Sequence, residues 1–283
     1  MDKPAASRTV PSNRVLVCRV ETARCRACGA CEEACPFSVP RVVVRRGAAS
    51  FAEIDAGACR GCGVCVAACP VGAISHPGSN RALPERRGGL LAFACARSGL
   101  FVRGGGRVPE GVTAVELPCS GGVSPAMILG ALARGFDGVI VMGRDQAHCR
   151  LNGAEDHVRA LVPRMAELAR LAGLGEGRVR FVDPPKGREG PARALEDYRA
   201  ALPPTPLEAR LPAEHPAETL ADAVAILAWL GVPLDSAEVR AALFGEWIDP
   251  AVMGPGDAMA QLEAALPGRL GAWRTAHPKA VTP

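Results

Sequence analysis

A cysteine pattern that occurs twice constrains this 283-residue chain more than any other feature. The pattern is C-x2-C-x2-C-x3-C-P, so that each copy ends in a proline, Pro36 or Pro70. Thiolates at this spacing wrap around a 4Fe-4S cluster. Two copies therefore predict two clusters and indicate electron transfer. The eight candidate ligands are Cys25, Cys28, Cys31, Cys35, Cys59, Cys62, Cys65 and Cys69.

Two other uses of clustered cysteine fit the chain less well. A disulfide framework is typical of small secreted domains, and residues 1–10 lack the apolar stretch of a secretory leader. A structural zinc site uses paired C-x2-C motifs, and a third cysteine at the same interval followed by x3-C-P departs from that pattern. The repeat is therefore interpreted as an iron-sulfur motif.

Glycine occupies the same place in both copies, as Gly29 and Gly63. Because glycine lacks a Cβ, these residues are expected to turn backbone N–H groups towards the cluster sulfurs. Pro36 and Pro70 donate no N–H, so they are expected to end the short helical turn that follows the third cysteine.

The segments CRACGACEEACP and CRGCGVCVAACP resemble the bacterial two-cluster ferredoxins. This resemblance implies an α+β ferredoxin domain, residues 1–78, in which the fourth cysteine of each run ligates the cluster of the other run. The implied ligand sets are Cys25, Cys28, Cys31 and Cys69 for the first cluster, and Cys59, Cys62, Cys65 and Cys35 for the second.

Apolar and alternating stretches predict the scaffold around the two runs. Residues 41–46 and 50–55 are expected to form a hairpin, and residues 15–20 and 71–74 are candidate outer strands. Cys18 lies outside the motif and is interpreted as a small buried residue. A domain of this size buries little apolar surface, so cluster assembly is expected to supply much of its folding free energy.

Residues 79–89 are polar and rich in proline and glycine, which predicts a linker, and the following residues 90–200 have the pattern of an α/β domain. Short apolar runs predict strands buried on both faces, and helices between them predict a parallel sheet with right-handed crossovers. Pro163 is expected to interrupt the second helix. The strands are expected at 90–94, 112–117, 138–142 and 179–182, and the helices at 124–134 and 154–172.

Three further cysteines follow the expected strand ends: Cys95, Cys119 and Cys149. The carboxyl ends of parallel strands share one edge of a sheet, where α/β folds bind their ligands. The three thiols are therefore expected to converge.

Four segments of residues 90–183 carry a second resemblance: FAC at 93–95, PCSGGVSP at 118–125, MILGALARGFDGVIVMG at 127–143 and HC at 148–149. Through them this part of the chain resembles the small iron-sulfur (delta) subunit of methyl-viologen-reducing hydrogenase, which joins a hydrogenase to heterodisulfide reductase. The resemblance implies one 2Fe-2S cluster and a place in an oxidoreductase complex with hydrogenase, dehydrogenase or flavoprotein subunits.

The chain departs from that family at two expected ligands, because Ser98 and Arg144 stand where the family has cysteine. The three remaining thiols then supply three ligands of four. Ser98 or His148 would complete the set, since histidine ligates iron in Rieske centres. The alternative is a domain that has lost its cluster and keeps a docking surface.

A second proline-rich linker, residues 201–216, precedes a small acidic α-helical module, residues 217–283. Helical spacing of apolar residues predicts its helices at 217–231, 236–245 and 257–266. This module contains no cysteine, so its expected role is structural.

Composition limits the function classes. No apolar run approaches the roughly 20 residues that span a bilayer, which predicts no transmembrane segment and a cytoplasmic location. Scattered arginines and 4% aromatic residues argue against nucleic-acid binding. No P-loop or dinucleotide fingerprint is present, and no nucleophile stands with a base.

Two functions remain. The first is a non-catalytic electron-transfer subunit that relays single electrons between a hydrogenase- or dehydrogenase-like partner and a flavoprotein or heterodisulfide-reductase-like acceptor. The second is a ferredoxin-fed thiol-disulfide or sulfur-transfer enzyme that uses Cys95, Cys119 and Cys149. The α/β domain has no C-x-x-C pair, which favours the first.

Overall fold

The chain has a cysteine-rich α+β part followed by an α/β part, as seen in a computed structural model. The structure describes residues 16–46, 48–79, 83–84, 88–101, 107–144, 149–187, 189–206, 217, 219–234, 236, 238–239 and 242. Their elements are β1 (Arg19–Val20), α1 (Ala30–Glu33), β2 (Pro40–Val43), β3 (Phe51–Ile54), α2 (Val64–Ala68), β4 (Ile74–Ser75), β5 (Leu90–Cys95), β6 (Val112–Leu117), a 3-10 turn (Ser120–Gly122), α3 (Pro125–Ala133), β7 (Gly138–Met142), α4 (Ala154–Leu171), β8 (Val179–Val182), α5 (Gly190–Ala201) and α6 (Leu220–Trp229). Within these residues, no helix is long and apolar enough to cross a membrane.

The cysteine-rich part is built from two small antiparallel sheets. β2 and β3 form the expected hairpin, with Val43 opposite Phe51, and β1 pairs with β4. Gly29 and Gly63 both have φ +82°, a conformation that other residues rarely adopt, and each directly precedes a short helix. These helices begin one residue before the third cysteine, and not after it as the sequence suggested.

The α/β part contains a four-stranded parallel sheet in the order β6-β5-β7-β8. The central strands β5 and β7 are buried along their whole length, as their continuous apolar runs predicted, whereas the edge strands are partly exposed. β6 pairs with one side of β5, and the chain then crosses over β5 through α3 and places β7 on its other side. This reversal makes the carboxyl ends of β5 and β7 the expected place for a ligand site.

Helix α3 begins and ends at the residues that the sequence indicated. The Ser124 hydroxyl accepts a hydrogen bond from Met127 N at 3.2 Å, Pro125 occupies the first turn, and Gly135 follows the end with φ +90°.

Helix α4 runs without a break through Pro163, so the expected interruption is wrong. Pro163 lies on the exposed face of the helix, where water can satisfy the carbonyl that loses its partner. The opposite face buries Val158, Leu161 and Met165 in the core, and this packing holds the helix together.

Two cores lie on the two faces of the sheet. Phe93 and Val141 face the core shared with α3 and α4, while Ala92 and Ile140 face the core shared with α5. The sheet is therefore covered on both sides, which is the α/β arrangement that the sequence predicted.

The segments before and after the α/β domain also reach its core. Leu83, within the predicted linker, is buried there, and its carbonyl accepts a hydrogen bond from the Arg134 guanidinium at 3.0 Å. Helix α6, the first helix of the predicted carboxyl-terminal module, begins with a capping box between Thr219 and Asp222 and packs against α3. The helix predicted at 257–266 lies outside the described residues, and only four residues of that at 236–245 are described.

Candidate iron-sulfur centres

Four cysteines line one pocket in the cysteine-rich part, here called the first-run pocket. Three come from the first run, and Cys69 comes from the second. Cys35, the fourth cysteine of the first run, is not among the described residues that line it. The sulfur-bearing residues of the pocket are Cys25, Cys28, Cys31 and Cys69.

Backbone N–H groups already point at two of these sulfurs. Cys25 Sγ accepts hydrogen bonds from Ala27 N at 3.4 Å and Ala52 N at 3.3 Å, and Cys69 Sγ accepts one from Ala73 N at 3.2 Å. Such bonds stabilise the thiolate form, which is the form that ligates iron. The pocket thus offers four sulfurs and preformed donors, which fits a 4Fe-4S cluster.

The second-run site groups Cys59, Cys62 and Cys65 with Cys35. The pKa of Cys62 is raised to about 12, mainly by burial and also by the nearby sulfurs of Cys18, Cys35 and Cys59. A hydrogen bond with Cys18 is the main cause that raises the pKa of Cys65, and burial and the sulfurs of Cys62 and Cys35 raise it as well. A bare thiol here stays protonated at neutral pH, so iron binding at this site has to displace protons.

Cys18 is buried, as the sequence suggested, but it also contacts the second-run site. A hydrogen bond with Cys65 is the main cause that lowers the pKa of Cys18, and a hydrogen bond with Cys59 lowers it further. This contact was not predictable from the sequence, because Cys18 lies seven residues before the first run.

Among the described residues, no group of three or more His, Cys, Asp or Glu side chains is arranged to hold a single metal ion.

The structure brings together the three remaining cysteines, here called the edge thiols, at the carboxyl edge of the parallel sheet. Cys95 is the last residue of β5, and its thiol donates to the Pro118 carbonyl at 3.9 Å. Burial raises the pKa of Cys95 and Cys119, and Cys149 lies near enough to raise both further.

The residues at the expected positions of the remaining ligands do not share one environment. The Ser98 hydroxyl is buried and accepts a hydrogen bond from Leu100 N at 3.3 Å. His148 lies outside the described residues. Arg144 is half-buried, and its positive charge acts to lower the pKa of Cys95 against the larger effect of burial.

A buried carboxylate beside the edge thiols was missed by the sequence analysis. Glu155, only 5% exposed, accepts hydrogen bonds at Oε1 from the Ser120 hydroxyl and from Arg144 N, both at 3.1 Å, and pairs at Oε2 with Arg159. It therefore ties together the loops that follow β6 and β7. An acidic residue in the first turn of a helix is a weak signal for such a role, because that position favours carboxylates anyway.

The second-run site and the edge thiols meet in one buried contact. Cys62 and Cys119, 6% and 4% exposed, pack together with Val64 and Ala154. A Cβ on Gly121 would overlap the Ala154 carbonyl and the Val64 side chain, so this approach requires glycine. The two parts of the chain are thus joined through the cysteines themselves.

Two family models match the chain, one on each side of this contact. Residues 24–74 match the 4Fe-4S dicluster domain, and the cysteine-rich part is here called the dicluster domain after that match. Residues 90–193 match the methyl-viologen-reducing hydrogenase, delta subunit. Both resemblances noted in the sequence are confirmed, in the same order. No curated protein sequence matches the chain.

Replacing Gly63 by Ala is expected to destabilise the protein more than replacing Gly29 by Ala. Both glycines have φ +82°, so both changes add about 1 kcal/mol of backbone strain. A Cβ on Gly63 would also collide with the Ser79 hydroxyl, whereas nothing lies within 4 Å of one on Gly29. Overpacking adds about 1–3 kcal/mol. Thermal unfolding of the iron-loaded variants measures the difference, and equal shifts in Tm would contradict it.

Proposed function

We propose that this chain is a non-catalytic electron-transfer subunit of an oxidoreductase complex. It relays single electrons between a hydrogenase- or dehydrogenase-like partner and a flavoprotein or heterodisulfide-reductase-like acceptor. The match to a hydrogenase delta subunit supports a place in a multi-subunit complex. The proposal includes a cytoplasmic location and the domain boundaries expected from the sequence.

The proposal assigns two 4Fe-4S clusters to the dicluster domain. A bound cluster of this type takes up and releases one electron. The chain directs backbone N–H groups at the sulfurs of Cys25 and Cys69 and buries four of the eight cysteines. The proposed ligand sets are Cys25, Cys28, Cys31 and Cys69, and Cys59, Cys62, Cys65 and Cys35; the grouping of Cys69 with the first set and Cys35 with the second supports them.

The contact between Cys62 and Cys119 is the observation that carries the proposal. Electron transfer between two sites requires a short and fixed separation. Val64 and Ala154 fill the space around these two cysteines, so the contact is dry and its geometry is fixed by packing. It provides a path between the dicluster domain and the edge of the parallel sheet.

Anaerobic purification of the full chain at native expression tests this function. We expect about eight iron atoms per chain for two clusters, and co-purification with at least one redox subunit. A third centre, a 2Fe-2S cluster at Cys95, Cys119 and Cys149, raises the content to about ten. A chain without iron, or one that purifies alone as a freely diffusing monomeric carrier, would contradict the proposal.

A thiol-disulfide or sulfur-transfer enzyme at the edge thiols is the second candidate, because three thiols converge there. Reactive cysteines require a lowered pKa. Burial instead raises the pKa of Cys95 and Cys119, which keeps both thiols protonated at neutral pH and disfavours nucleophilic chemistry. Three alkylatable thiols beside eight iron atoms, with exchange activity lost in Cys119→Ser, would establish this candidate instead.

A further inference from the structure

The two cysteine runs are equivalent in sequence but not in surroundings. Cys28 and Cys62 hold the same position in the repeat, yet Cys28 is exposed whereas Cys62 is buried against Cys119. A Cβ on Gly63 would meet the α/β part at Gly122 Cα, 3.4 Å away, and one on Gly29 would meet nothing within 4 Å. The α/β domain therefore covers one run, and the matching face of the other is open among the described residues.

The open face, here called the Cys28 face, consists of residues 24–29. It is shaped for close approach, because Ala27 and Gly29 are small and both contribute to the rim of the first-run pocket. On the covered run glycines allow the close approach, since a Cβ on Gly121 would meet the Val64 side chain and one on Gly122 the Cys62 carbonyl. A second protein can thus approach the first-run sulfurs as closely as the α/β domain approaches Cys62.

One arginine gives the Cys28 face an unneutralised positive side chain. Arg24 is exposed, but its guanidinium donates to the Val71 carbonyl at 3.1 Å and pairs with Glu21 at 3.6 Å, which offsets its charge. Arg26 is exposed and is the charged residue among the described residues that line the pocket. This local positive charge favours a partner that places a carboxylate opposite Arg26.

We propose that the Cys28 face docks a separate, acidic one-electron carrier protein, in the position that the α/β domain occupies on the second run. This inference rests on the proposed function and adds an order to it: the external partner exchanges electrons at the first-run pocket, and the second-run site serves the α/β domain. The Cys28 face and its equivalent on the second run are formed by the same loop of the repeat, and the α/β domain covers the second of them.

Binding of an acidic flavodoxin to the anaerobic, iron-loaded full chain tests this assignment. Arg60 provides a matched control, because it holds in the second run the place of Arg26 in the first and is also exposed. At low ionic strength we expect saturable binding that Arg26→Glu weakens about tenfold and Arg60→Glu changes less than about twofold. Phenylglyoxal labelling gives a second readout: flavodoxin should protect Arg26 from modification and leave Arg60 reactive.

Three results would overturn the assignment: no saturable binding, equal weakening by the two charge reversals, or an Arg26 that is already shielded from phenylglyoxal in the free chain. The last would mean that another part of the chain covers the Cys28 face. Iron content separates these failures from failure of the proposed function. A chain with about eight iron atoms that fails the binding test loses only the docking assignment.

Discussion

Replacing Cys69 by Ala should abolish the cluster of the first run and leave that of the second run in place, although Cys69 belongs to the second run. Cys69 lines the first-run pocket with Cys25, Cys28 and Cys31. Its sulfur also receives the Ala73 N–H at 3.2 Å, so it is oriented towards that pocket. Paramagnetic resonance of the anaerobically reduced protein, with iron analysis, measures which of two signals is lost; we expect iron to fall from about eight to about four atoms.

Two variants provide the controls for this experiment. Cys25→Ala removes an undisputed residue of the first run, so its spectrum should match that of Cys69→Ala. Cys35→Ala should produce the opposite loss, because Cys35 lies beside Cys62 and Cys65. A Cys69→Ala spectrum that matched Cys65→Ala would mean that each run holds its own cluster.

Removing iron should unfold residues 16–79 and leave the parallel sheet folded. The core of the dicluster domain contains eight buried residues, and four of them are cysteines, three of which are proposed ligands. Cluster binding is worth on the order of 10 kcal/mol to such a domain, by analogy with structural metal sites, and exceeds what its few apolar residues supply. The α/β part has larger cores that contain no cysteine.

Hydrogen exchange before and after anaerobic chelation under reducing conditions measures this effect. Amides of β2 and β3 should lose protection by several orders of magnitude, whereas those of β5 and β7 should keep theirs. Incubation without the chelator is the control, and reloading with iron and sulfide should restore protection. A chelated protein that kept its β2–β3 hairpin protected would show that the scaffold folds without iron.

The sequence was most informative where local chemistry decides the structure. Ser124, Pro125 and Gly135 mark the ends of α3 because a cap, a fixed φ and a left-handed residue are local requirements. The strands β5 and β7 were predictable because continuous apolar runs suit strands buried on both faces. The two cysteine motifs were equally local, since the cysteines of each run follow one another at fixed intervals.

What the sequence concealed depends on contacts between distant residues. Pro163 predicted a break, but the buried face of α4 outweighs one missing hydrogen bond. Leu83 lies in a polar segment that reads as a linker, yet it anchors that segment in the core. Glu155 becomes buried only because Ser120 and Arg144 come from two other loops of the sheet edge. The sequence pattern alone does not predict such contacts between distant residues.

The buried contact between the cysteine-rich part and the α/β part affects the order in which the protein binds iron and completes its folding. Phe37, Cys62 and Val64 form one side of that contact, and all three are proposed cluster ligands or lie close to one in the chain. Once the halves have closed, Cys62 is shut away from solvent. With the proposed ligand set, iron and sulfide are expected to reach Cys62 before the α/β domain covers it, so that metal delivery precedes domain closure.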